Sequence, residues 1–140
     1  MKKILYILTI LSCLFATMAC THNGGPSGPL YGRWILKNIE AEGMEAPAQT
    51  GQIYWSFQHG VIEMQRDNGN FSVSTRYGNF RLDDNTLFLD FPEEHEEPVF
   101  PETGLALENR LQVLKLTGKE MVLLYQPRQD ASLTYYFRKW

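Results

Sequence analysis

The apolar residues between Trp34 and Lys139 come in short runs, most of them joined by links of only a few residues. The links are His59-Gly60, Asp67-Asn68-Gly69-Asn70, Asp83-Asp84-Asn85, Gly118 and residues 127–131, all rich in residues that tolerate positive φ or turn locally. A parallel crossover needs a dozen or more residues, so links of this length join antiparallel neighbours. The runs themselves favour β-branched, aromatic and aliphatic side chains, which predicts strands over 34–40, 52–58, 61–66, 71–82, 86–91, 111–117, 119–126 and 133–139. Strands that follow one another through tight turns pair mostly in sequential order.

Period-two alternation gives several strands one face meant for an interior. Ile53, Trp55 and Phe57 share a face, as do Phe71, Val73, Thr75 and Tyr77, and Leu133, Tyr135 and Phe137. Leu87, Phe88 and Leu89 are apolar on both faces, which predicts a cover over the outer side of that strand. Gly78, inside the longest run, predicts a bulge or sharp bend. An antiparallel sheet of about eight strands can close on itself, and the expected fold is all-β, a small up-and-down barrel. Periodicity does not separate closure from stacking, so a two-sheet sandwich is the alternative.

One connection stands apart. Residues 92–109 are far too long for a hairpin loop, and long loops in compact domains tend to be functional or disordered. Its first half carries three prolines and cannot be helical. Its second half, 102–109, has the makings of a helical turn, with Thr103 near the start and Leu105 facing the barrel.

The N-terminus concerns the compartment rather than the fold. Lys2 and Lys3 precede an apolar run over 4–15, and small residues then lead to Cys20, the three-part layout of a secretory signal over 1–19. A permanent span needs roughly 20 apolar residues, more than this run offers. Residues 20–29 are rich in Gly, Ser and Pro and read as a tether, followed by one domain over 30–140. Loss of Lys2 and Lys3 with the signal leaves 11 basic residues against 16 acidic ones, a formal charge of −5. Nucleic acid and anionic lipid headgroups both call for a basic footprint, so neither is an expected partner. The other cysteine, Cys13, lies within the signal, so the mature domain has no disulfide to form.

Chemistry-bearing motifs are scarce. Glu93, Glu94, His95, Glu96 and Glu97 could offer oxygen and nitrogen donors to a cation, but consecutive loop residues point in different directions, and a solvated acidic loop explains them as well. No nucleophile elbow, phosphate-cradling glycine loop or mature thiol is present, and no metal or cofactor motif either. What remains is an aromatic interior: Trp55, Phe57, Phe71, Tyr77, Phe88, Tyr135 and Phe137 are candidate ligand contacts, with Arg76, Arg81 or a tyrosine hydroxyl as polar groups. Core packing accounts for the same residues.

Two stretches carry a resemblance to known families. The sequence ending in Cys20 resembles a bacterial lipoprotein box, which implies an acylated Cys20, with chains such as palmitate, as a membrane anchor; an ordinary signal peptide is the alternative. Gly32-Arg33-Trp34 opening the first strand of a meander, with "LKLTGKEMVLLY" and "LTYYFRKW" at the end, resembles the lipocalin superfamily, in particular the lipocalin-like domains of bacterial lipoproteins. That resemblance implies that Gly32 and Trp34 close one end of the barrel, with Arg138 or Lys139 across the indole. The Thr-Asp-Tyr motif of longer secreted lipocalins is missing and the chain is shorter, which implies a smaller cavity. The expectation is a non-enzymatic lipoprotein on the outer membrane of a Gram-negative envelope, its barrel binding a small hydrophobic ligand. The alternative is a protein-interaction module of an envelope complex with a packed barrel.

Overall fold

The computed structural model describes residues 28–92 and 99–140. The leader over 1–19, Cys20 with most of the tether, and the acidic run 93–97 lie outside the described residues. A short 3-10 turn, Gly28–Leu30, leads into eight strands: β1 (Gly32–Glu42), β2 (Ile53–Gln58), β3 (Val61–Gly69), β4 (Ser72–Asp83), β5 (Thr86–Asp90), β6 (Glu108–Leu116), β7 (Glu120–Arg128) and β8 (Ala131–Lys139). They form a closed barrel in sequence order, every pair antiparallel, with β8 returning to β1 from Trp34 opposite Lys139 to Glu42 opposite Ser132. The up-and-down barrel is therefore the architecture, and the sandwich alternative is excluded. Pairing of β8 with β1 closes the sheet, while β4 meets β5 only over Asn79–Asp83.

Gln58-Val61, Asp83-Thr86 and the turn between β6 and β7 lie at the same end of the barrel as Trp34, which we call the base. The 69–72 and 128–131 turns, the loop 43–52 and the long β5–β6 connection lie at the other end, the mouth. At the base Trp34 is fully buried, its indole N–H donating to the Leu30 carbonyl at 2.8 Å. The cation across its ring is Lys139, with Nζ 4.2 Å from the ring centroid, rather than Arg138, which is exposed. Alternation decides this, because Tyr135 and Phe137 point inward and position 139 shares their face. Lys139 also donates to the Pro29 and Tyr31 carbonyls, and burial lowers its pKa. Gly32 has φ +103, and a Cβ there would stand 3.1 Å from Lys139 Nζ. The Gly-x-Trp stretch is thus one structural unit with Lys139.

Two other expectations are corrected. Gly78 is not at a bulge: the register of β3 with β4 slips between Asp67 and Gly69, and other slips fall at Leu36/Asn38, Val113/Lys115 and Tyr125/Arg128. Gly78 is needed for close approach, since a Cβ would meet the Asp90 carbonyl and the Phe91 ring, each at 2.7 Å. The second half of the long connection forms turns rather than a helix before β6 begins at Glu108, although Leu105 is fully buried as expected.

Candidate functional site

The centre of the barrel is built by β2, β3, β7 and β8. Trp55, Phe57, Ile62, Met64, Met121, Leu123, Leu133 and Tyr135 have 0% accessible surface, and Phe137 has 4%. An enclosed void large enough for water would leave accessible area on the side chains around it, and the first eight of these have none. The rings fill the space by mutual contact: Trp55 lies 4.7 Å from Phe137 and 5.8 Å from Tyr135, and Phe57 meets Phe80 edge-on at 5.1 Å. One polar atom is left over. The Trp55 Nε1–H is buried with no acceptor.

Residues 99–105 fold into the mouth of the barrel. Phe100 accepts from the Thr103 N–H at 2.9 Å with Pro101 between them, a β-turn with proline at its favoured second position. Thr103 Oγ1 donates to the Phe100 carbonyl and accepts from Leu105 N–H, while Val99 N–H donates to the Leu105 carbonyl. Gly104, with φ +67, lets the chain pass Leu133 and Pro47 at 3.0 and 3.2 Å from where a Cβ would stand. Val99, Phe100, Thr103 and Leu105 are all buried, so the segment behaves as a plug.

The plug is fastened at two points. Inside, the Tyr135 hydroxyl donates to the Thr103 carbonyl at 2.6 Å, and burial pushes its pKa well up, with Tyr125 adding to the shift. At the rim, Glu102 is 5% exposed and its Oε1 accepts from Thr50 Oγ1 and from Arg66 Nη1, each at 2.6 Å. Burial raises the Glu102 pKa, but bonds from Thr50, its own backbone and Arg66, together with the Arg66 charge, outweigh it and hold the carboxyl below its ordinary range. Its Oε2 is buried without a partner. Arg66 and Arg76 also lie over the Phe100 ring at 5.5 and 5.4 Å.

Of the seven aromatic candidates, Trp55, Phe57, Tyr135 and Phe137 meet in the barrel centre. The other three are corrected to the outside. Tyr77 is 54% exposed on the outer face of β4, and Phe71 is 109% exposed in the turn before it, at φ 61. Phe88 points outward from β5 between the guanidiniums of Arg81 at 4.1 Å and Arg110 at 5.3 Å, which supply its cover. Alternation separates two faces without saying which is inward. In β4 the inward set is Ser74, Arg76, Gly78 and Phe80, small or polar toward the mouth where Phe100 needs the space. Sequence reasoning missed the plug's fastenings, Glu102 with Arg66 and Thr50; the clue was a buried-type pair, Val99-Phe100, in a loop between prolines.

A concavity of about 130 Å³ lies on the outer face of β1 to β4, lined by Arg33, Tyr54, Gln65, Asp67, Val73 and Trp140. Among the described residues no cluster of three or more His, Cys, Asp or Glu could hold a metal ion.

Comparison with known proteins agrees with this architecture. A family model described as a lipocalin-like domain matches residues 13–140. Among solved structures, a lipocalin-like protein from Bacteroides uniformis superposes with a TM-score of 0.61 at 18% identity, covering 81% of this chain and 100% of its own. An uncharacterized protein from Bacteroides eggerthii gives 0.57 at 23% identity, covering 79% of this chain and 99% of its own. Apocrustacyanin C1 gives 0.50 at 12% identity, covering 89% and 66%. A search of curated proteins finds no match.

Proposed function

This chain belongs to the family of lipocalin-like domains, and we propose that it is a non-enzymatic lipoprotein of the outer membrane, anchored through Cys20, whose barrel is a filled scaffold acting through its outer surface as an interaction module. Lipocalin-like proteins are in general binding proteins rather than enzymes. The observation that carries the reading is the barrel centre, where Trp55, Phe57, Leu133 and Tyr135 keep no accessible surface beneath the seated 99–105 plug. A carrier site has room for its ligand, typically 300 Å³ or more. The exposed Phe71, Val73, Tyr77 and Trp140 supply the outer apolar area that aromatic-rich interfaces use.

A second reading, a carrier of one small hydrophobic molecule, is favoured by one observation, the buried Trp55 N–H without an acceptor. A ligand with a single acceptor oxygen would satisfy it after displacing the plug. Native mass spectrometry of protein extracted from its own envelope separates the two. The scaffold reading expects the mature mass plus acyl chains, with a co-extracted protein; a stoichiometric adduct of an apolar small molecule contradicts it. For the anchor, Cys20→Ser should abolish acyl labelling, and continued labelling would remove that part of the proposal.

A further inference from the structure

The outer concavity has a composition that selects among ligands. Trp140 leaves β8 with its backbone N–H bonded to the Arg33 carbonyl at 2.9 Å, which sets its indole beside Tyr54, ring centroids 5.3 Å apart and planes at 82°. The two rings form a corner, and Trp140 is 69% exposed. The Arg33 guanidinium lies 4.5 Å from the Tyr54 centroid and 5.8 Å from that of Trp140, and donates to Gln65 Oε1. Asp67, on the same outward face of β3 as Gln65, is held by Gly69 N–H on Oδ1 at 2.8 Å. A wall of Val73 completes the site.

Three ligand classes fit poorly. A wholly apolar molecule would strip water from a guanidinium, an amide and a carboxylate and return no hydrogen bond. An anion would meet the Asp67 carboxylate, which offsets the charge of Arg33, the one cation lining the groove. A peptide adding itself as a strand needs a free sheet edge, and beneath the groove β2 and β3 are each paired on both sides. A neutral saccharide meets each requirement. One face of a pyranose presents polarised C–H groups to an aromatic face, and its hydroxyls both donate to a carboxylate or amide oxygen and accept from an amide or guanidinium N–H. An open groove of about 130 Å³ seats one face of a single ring and falls below the size of a drug-like pocket.

We propose that this groove binds one ring of a neutral saccharide, stacked in the Trp140–Tyr54 corner and hydrogen-bonded by Gln65, Asp67 and Arg33. The site is independent of the barrel interior and of the lipid anchor. Saturation-transfer NMR on the mature chain tests it, with glucose, galactose, mannose and N-acetylglucosamine as methyl glycosides and a short apolar peptide as control. The expected result is saturable transfer to at least one glycoside, weakened 10-fold or more by Trp140→Ala and by Gln65→Ala, and largely retained in Trp140→Phe. Trp140 and Gln65 lie outside the core, and an unchanged thermal transition shows that each variant is folded. No transfer to any glycoside, transfer to the peptide alone, or transfer undiminished in folded Trp140→Ala would each overturn the proposal.

Discussion

Trp34 and Lys139 show how one motif residue and one unremarked residue share a task. The indole is sealed under Leu30 by a hydrogen bond and capped by an ammonium that is itself tied to two carbonyls. Trp34→Ala should lower unfolding free energy by about 3 to 5 kcal/mol in urea titration, the range for emptying a large aromatic site. A near-neutral result would mean that the base is not closed by this ring. Gly32-x-Trp34 was legible in the sequence as a resemblance, whereas the choice of Lys139 over Arg138 depended on which β8 residues face inward, a matter of parity relative to a neighbour. Gly78 was legible as an exception to strand composition but not in its cause, the proximity of Phe91 from beyond the next strand. Gly78→Ala should cost about 1 to 3 kcal/mol through overpacking, read from the same titration.

The eight strands were readable because most obey a local period and a local turn, and the structure moves their ends by only a few residues. The plug was not, because its order comes from contacts distant in sequence. Thr50, Arg66 and Tyr135 hold Glu102 and Thr103 across 52, 36 and 32 positions. Its electrostatic part has a definite sign with pH. The Glu102 pKa is lowered in the folded state, so its stabilisation is complete above the ordinary carboxylate range and is lost as pH falls through the lowered value. Amide exchange within residues 99–105 should accelerate under acid before exchange in β7 and β8 does. Glu102→Gln should bring that faster exchange to neutral pH, at a cost of about 1 to 3 kcal/mol for the lost charge-assisted bonds. If exchange in this segment were the same in the variant and the parent, the rim contact would not be what fastens the plug.

For the whole molecule, the closed antiparallel barrel follows from tight links between sequential strands, and the lipocalin-like fold is shared with the Bacteroides proteins at low identity. Composition could not reveal whether the barrel is hollow. The same aromatics serve a packed core or a lined cavity, and only three-dimensional contact among Trp55, Phe57, Tyr135 and Phe137 distinguishes them. That contact is also why the outer surface carries the proposed interactions. The most direct measurement is a fluorescence titration of the mature protein at neutral pH with an apolar naphthylamine probe, following probe emission and quenching of the buried tryptophans. A filled, plugged barrel predicts no saturable binding and no quenching of Trp55. Saturable one-to-one binding with energy transfer from the interior tryptophans would contradict the account.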